Sequence, residues 1–332
     1  LEYDYAQILQ HLGLTLVNGN MDLSHEERPL IPGYGDFDYG DEMRERVNTM
    51  TCRKEDFDGC DMILTMNPSD FHQRIEYFSK FRPTVTYVNG QWIDIQLQEV
   101  AGKLNGQWDR GEVPNMWVVV YTKREENFLR PLVHTQLQDR IHHIRFAKKL
   151  SDYSPWIAKG EKAPARQPYI YTTCHDIHRR GLSCNWSEYQ GATKELSRKL
   201  SGRNTNEVGG QGLIPFDQMR KQMAECGAYM GVPCYPAPLV LNVVEAMCAG
   251  APVAYFDNQR GISEEGIFDG GVGRCSSYYP DLHDFLERCL KDPGFREVQS
   301  LLSLNRAREF FDFNKQVEKW AVVFRSMSAL WK

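Results

Sequence analysis

The stretch VVEAMCAGAPVAYFDN, Val243 to Asn258, decides how the rest of the chain is read. A helix carrying Ala246, Ala249 and Gly250 presents a small-residue surface that can lie close against a sheet. Gly250 and Pro252 then mark a helix C-terminus, because glycine tolerates positive φ and proline cannot continue the helix. The apolar run VAYF reads as a buried strand ending at Asp257. In an open α/β sheet, ligands bind where strands end and helices begin. An acid expected at the head of this helix, Glu245, is therefore placed to reach a ligand. The helix dipole alone would also favour a carboxylate there.

The chain has 332 residues, more than one core usually serves, and is expected to form two domains, 1–150 and 151–332. Apolar residues make up 42% and aromatics 12%, enough for packed cores and too much for a disordered chain. No apolar run approaches the ~20 residues needed to cross a bilayer, and no signal-peptide pattern opens the sequence. Nine cysteines without a C-x-x-C pair read as reduced thiols, so a cytoplasmic location is expected. The sequon at Asn185 carries little weight without a secretory signal.

Charge is unevenly spread. Residues 1–122 hold 10 Lys and Arg against 20 Asp and Glu, a net of −10. Residues 123–203 hold 16 against 8, a net of +8, and residues 204–332 hold 13 against 16, a net of −3. A basic belt between acidic parts suits an anionic ligand such as a nucleotide diphosphate, or a nucleic acid, although a solvated face would look the same.

Strands and helices alternate along both halves. The chain begins in a helix, YDYAQILQHLG, before a strand LTLVNG, so a first strand is expected to have been lost upstream. CDMILTMN, PTVTYVNG and MWVVVYT read as strands, with a helix PSDFHQRIEYFSKF among them. SDYSPWIAKGEKAPARQP reads as the interdomain linker. Beyond it, YIYTTCHD is a strand and WSEYQGATKELSRKL one helix. FDQMRKQMAECG, AYMGVPCYP, NVVEAMCAG and PVAYFD continue as helix, strand, helix, strand. Phe313, Val317, Trp320, Phe324, Met327 and Trp331 form one apolar helical stripe at the C-terminus. The alternation predicts parallel sheets covered by helices.

These features suit a GT-B architecture of two Rossmann-like domains facing a cleft, with the C-terminal helix crossing back to the first. EAMCAGAPVAYFDNQRGISEEGIFDGGVGR, Glu245 to Arg274, resembles the donor-binding region of family 4-like retaining glycosyltransferases. Those carry a Glu-Ala-Met helix, a Gly-x-Pro-Val turn and strand, a Gly-rich loop with Glu, and an Asp-Gly-x-x-Gly turn. The last two helices are also similar to that family's, so the resemblance covers about the C-terminal half.

The resemblance implies that Glu245 holds the ribose of a nucleotide-sugar donor. It implies that Arg180-Gly181 takes the place of a Lys-Gly that contacts the diphosphate, with Arg179 adding a second guanidinium and His175 near the place of an earlier family Arg. The loop Pro238, Leu239, Val240, Leu241 and Asn242, with Gly261 and Glu264, is expected around the sugar. Family members pair two glutamates as E-x7-E. Here Ala237 stands eight residues before Glu245, so backbone amides at 239–242, a different donor, or lost catalysis remain open.

Other constellations carry less. CHDIH with Cys184 offers metal-ligand types at no standard zinc spacing. Asp56-x-Asp58 precedes a strand, where a GT-A metal motif would follow one. NEVGGQG lacks the lysine of a phosphate loop. His25, His72 and His142 are weak acceptor-side candidates. The sequence thus predicts a retaining glycosyltransferase with a UDP-linked donor, no metal and no cofactor beyond the donor, acting on a glycan or small-molecule hydroxyl. A hydroxymethylated DNA base is the second acceptor, with Trp156, Tyr169 and Trp186 among the belt cations. A non-catalytic sugar-nucleotide or glycan-binding module is the reading of another class.

Overall fold

A computed structural model describes residues 2–14, 40–66, 71–88, 93–112, 114–235, 237, 239–258 and 261–330. The chain divides into two compact units, Leu1–Arg145 with Asn314–Lys332, and Phe146–Phe313. Both are parallel α/β sheets flanked by helices, as the alternation predicts.

In the first unit, strands β1 (Ile63–Met66), β2 (Thr84–Val88), β3 (Met116–Val120) and β4 (Ile141–His143) pair in the order β1-β2-β3-β4. Strands β2 and β3 are buried along their whole length, because helices cover the faces of a parallel sheet. Leu97, Val100 and Leu104 of helix Asp94–Asp109 pack with Val118 and Val120 in the core. Apart from Leu14, the expected strand LTLVNG lies outside the described residues. Helix Phe313–Leu330 bears the apolar stripe: Val317, Trp320, Phe324 and Met327 are buried, and Trp320 packs on Tyr87 of β2 at 5.7 Å between ring centroids. Trp331 is outside the described residues.

The second unit contains β5 (Gln167–Thr173), β6 (Arg198–Ser201), β7 (Cys226–Gly231), β8 (Val253–Phe256) and β9 (Arg274–Ser276). Their order, β6-β5-β7-β8-β9, reverses direction between β5 and β7, which makes the carboxyl ends of that pair the switch point of a doubly wound sheet. Two expectations change here. WSEYQGATKELSRKL is not one helix: helix Trp186–Ala192 stops, Glu195 takes φ 60°, and Arg198–Ser201 becomes edge strand β6 beside β5.

The proposed linker lies within the second unit and is packed at its start. Tyr153 and Ser154 are buried among the short helices Leu150–Tyr153 and Pro155–Lys159. Arg166 donates to the carbonyls of Ala224, Cys226, Ala249 and Gly250, satisfying the C-terminal carbonyls of two helices that would otherwise be left without partners.

Candidate functional site

The carboxyl ends of β5 and β7 carry most of the residues that the sequence singled out. After β5 the chain runs through Cys174, His175, Arg179 and Arg180 into the 3-10 turn Gly181–Cys184. After β7 it passes Cys234 and Ala237 to reach helix Leu241–Cys248. Asn242 ties the two segments together, its side-chain amide donating to the Thr173 carbonyl at the end of β5. Among the described residues, the buried Asn242 Oδ1 meets no hydrogen-bond partner. Gly202 lets the neighbouring turn close on this edge: its φ is 129°, and a Cβ there would lie 2.4 Å from the Cys174 carbonyl oxygen.

Glu245 is not at the head of its helix. It is the fifth residue, 7% exposed, in the second turn. The residues that orient it were missed in the sequence. Lys148 Nζ donates to Glu245 Oε1 at 3.0 Å, Tyr153 OH donates to the same oxygen at 2.9 Å, and Lys148 also donates to the tyrosine oxygen at 3.2 Å. Lys148 is itself 2% exposed. A buried charge pair requires this sort of geometry, since neither charge can return to water. Among the described residues no donor reaches Glu245 Oε2. Lys148 and Tyr153 lie 97 and 92 residues before Glu245, and no local pattern announces them.

The helix bearing Glu245 starts without a side-chain cap. Its N-cap is Val240, no acid stands in its first turn, and the Val243 amide turns back to the Val240 carbonyl. The amides of Leu241 and Asn242 meet no acceptor among the described residues. Such an end favours negative charge. Leu239 is buried and Pro238 lies outside the described residues. Gly261, at φ 85°, opens the 3-10 turn Ile262–Glu265, in which Glu264 is exposed.

The two arginines differ. Arg179 donates to both carboxylate oxygens of Glu207, which also meets His178 Nε2 at 2.7 Å, so the second guanidinium expected near the diphosphate is paired within the protein. The exposed Arg180 side chain has no hydrogen-bond or ion-pair partner among the described residues. Burial acts to lower its pKa, but the neighbouring sulfurs of Cys234, Cys184 and Cys174 and the Asp176 carboxylate outweigh it and the net shift is upward. His175 accepts from the Arg203 amide through Nδ1 at 2.9 Å and is exposed.

Three thiols meet beside Arg180. Cys234 Sγ lies 3.0 Å from Cys184 Sγ and 3.9 Å from Cys174 Sγ, and all three sulfurs fall within 4.8 Å of one another. Hydrogen bonds from Cys174 and Cys184 hold the Cys234 thiol below its ordinary pKa, with Arg180 and His175 adding in the same direction. Cys174 and Cys184 were visible as ligand types; Cys234, 50 residues beyond Cys184, was not.

The remaining candidates are occupied or fall elsewhere. Asp56 pairs with Arg46 at 2.7 Å and accepts from the Arg53 amide, so the Asp56–Asp58 pair is not an open ligand set. Gly210 of NEVGGQG packs tightly, a Cβ there lying 2.8 Å from the Leu200 carbonyl oxygen. His142 is half-buried in β4 with its pKa lowered by desolvation, while His25 and the side chain of His72 lie outside the described residues. The basic belt is largely spent inside its own units. Arg124 pairs with Asp94, Lys123 and Arg130 with Glu126, and Lys148 with Glu245, while Arg140 stacks on Trp117. Of the aromatics proposed to stack a base, Tyr169 is buried and Trp186 stacks on Tyr189 at 5.5 Å.

No protein-family model and no curated protein sequence matches the chain. Solved structures do. A glycosyltransferase from Rickettsia africae superposes with a TM-score of 0.65 at 13% identity, over 98% of this chain and 93% of that one. Sucrose-phosphate synthase from Thermosynechococcus elongatus gives 0.63 at 15% identity, over 99% and 94%. HepE of Anabaena, crystallised with UDP and glucose, gives 0.61 at 14% identity, over 90% and 84%.

Proposed function

The chain has the fold of the GT-B glycosyltransferases, and from that premise we propose that it transfers a sugar from a UDP-linked donor to a hydroxyl of a glycan or small molecule, with retention and without a catalytic metal. The observation that carries the reading is the presence, at the switch point of the second sheet, of an arginine side chain with no hydrogen-bond or ion-pair partner among the described residues and a helix start with no side-chain cap among them. Both are disposed towards an anion, and the diphosphate of a nucleotide sugar is one.

In this reading Glu245 receives a ribose hydroxyl through Oε2 while Lys148 and Tyr153 hold Oε1, acting as positioning residues. Arg180 meets the diphosphate. Its charge is most useful in the transition state, when negative charge grows on the leaving group. The amides at 239–242, with Pro238, Gly261 and Glu264, border the sugar in place of the carboxylate that Ala237 lacks. Retention needs no protein base, because a leaving phosphate oxygen can take the proton of an acceptor arriving on the same face. The nine free cysteines suit a reducing, cytoplasmic compartment.

The test is Arg180→Ala with the donor chosen from a panel of nucleotide sugars. Loss of a charge that acts in the transition state lowers kcat by about a hundredfold to a thousandfold, with a smaller change in UDP affinity. Unchanged turnover at saturating donor removes Arg180 from the chemistry. The anomeric configuration of the product decides retention, and a rate unmoved by added Mg²⁺ or Mn²⁺ supports the metal-free step. Ala237 is the observation that favours a non-catalytic binder. UDP binding without turnover of any donor would establish that second reading.

A further inference from the structure

We propose that Cys174, Cys184 and Cys234 form a binding site for one thiophilic metal ion of the zinc class, which clips together the ends of β5 and β7. Soft thiolates select such ions over magnesium or calcium. Two of the sulfurs belong to buried residues and the third to a half-buried one, and together they come from three separate segments: the residue after β5, the 3-10 turn, and the loop after β7.

One sulfur pair already stands at the required spacing, and a second lies about 1 Å short of it. An ion about 2.3 Å from each sulfur requires sulfur–sulfur separations of about 3.8–4.0 Å. Cys174 and Cys234 stand at 3.9 Å. Cys184 and Cys234, at 3.0 Å, need to open by about 1 Å, within reach of small side-chain rotations. His175 follows Cys174 directly but spends Nδ1 on the Arg203 amide, so the protein set is three sulfurs with a fourth position left to water.

Binding needs no oxidant. Each thiol gives its proton to solvent, and each sulfur lone pair forms a bond to the metal. Three thiolates and one divalent ion carry a net charge of −1, and the Arg180 guanidinium, within electrostatic range of all three sulfurs, offsets it. The clip would fix the segments on either side of Arg180 without entering the chemistry. It stands whether or not the chain transfers sugar.

The experiment uses the full chain, purified with reductant and stripped of metal. Co²⁺ should produce a thiolate-to-metal charge-transfer band saturating at one equivalent, and Zn²⁺ should abolish it. Elemental analysis after zinc loading should find one zinc per chain. Cys234→Ser should lose the band and weaken zinc binding by about a hundredfold or more, whereas Cys60→Ser, in the first unit, should keep both. The wild-type cobalt spectrum serves as the readout should Cys234→Ser fail to fold. Absence of the band at millimolar cobalt overturns the site. So does equal zinc content in Cys234→Ser, or a Cys184–Cys234 disulfide found by mass spectrometry in metal-free protein that cobalt and reductant cannot convert.

Discussion

Two strand-to-helix turns of this molecule do opposite things with the same backbone groups. After β3, Thr122 caps helix Lys123–Leu129: its Oγ1 accepts from the Glu125 amide, and the Glu125 carboxylate returns to the Thr122 amide. After β7, Val240 offers helix Leu241–Cys248 no side-chain acceptor, and no acid stands in the first turn. A helix end leaves amides that must find partners. The turn after β3 satisfies them with its own side chains; the turn after β7 supplies no side-chain acceptor among the described residues. The same contrast separates Glu126, held by Lys123 and Arg130, from Arg180, which has no partner among the described residues. Internal satisfaction favours stability, and groups left open favour binding.

The largest test removes the buried Lys148–Glu245 pair. Glu245→Ala strands the Lys148 ammonium in the interior and should cost about 3–5 kcal/mol in urea unfolding. The double variant Lys148→Met, Glu245→Leu should recover most of that loss while abolishing UDP binding. Equal destabilisation of single and double variants would show that the buried charge is not the cause.

The next test concerns the first unit, at the end of β4. Burial lowers the His143 pKa from 6.5 to about 4, and the nearby Arg145 adds to it, so the Glu126 carboxylate at 3.7 Å faces a neutral ring at pH 7. Above its unfolded pKa the histidine is neutral in both states and its contribution to stability is complete. As pH falls from 6.5 towards 4 the unfolded chain binds a proton that the folded chain refuses. Stability should decline through that window by on the order of 3 kcal/mol. His142 is shifted in the same direction and adds to the slope. A pH series of urea midpoints for wild type and His143→Asn reads the difference, and superimposable curves would refute it.

A smaller effect bears directly on the two turns. Thr122→Ala should cost about 1 kcal/mol, the usual loss of a cap. Val240→Asp should gain about as much by supplying one, and should weaken UDP binding because the new carboxylate occupies the amides and repels phosphate. If Val240→Asp bound UDP as tightly as wild type, the open helix start would not be part of the donor site. Smallest of all, Arg179→Ala should leave stability and donor affinity unchanged within error, since its exposed pair with Glu207 is screened by water.

Much of the fold was legible because its signals are local. The run VAYF became β8, and the four-and-three spacing of Val317, Trp320, Phe324 and Met327 gave a helix with those side chains buried. Strand β6 was not legible, since RKLS carries two exposed cations on a sheet edge and follows helix-favouring residues without a break. The segment around Arg166 looked like a linker because its Pro, Lys and Gly content is that of one. The Arg166 guanidinium, donating to the carbonyls of Ala224, Cys226, Ala249 and Gly250, ties it to the second unit.

The sequence by itself determined the parallel α/β class, the helix and strand of residues 241–256, and the residue types at the candidate site, because each depends on neighbours within a few positions. Tertiary structure alone decided which of those residues are engaged. Arg179 and Arg180 are adjacent in sequence and alike in chemistry, yet Glu207, 28 residues beyond Arg179, holds one and not the other. Lys148 and Tyr153 reach Glu245 across more than 90 residues, and Cys234 meets Cys174 across 60. Charges and thiols act through distance in space, and local periodicity carries no record of which distant segment the sheet order brings alongside.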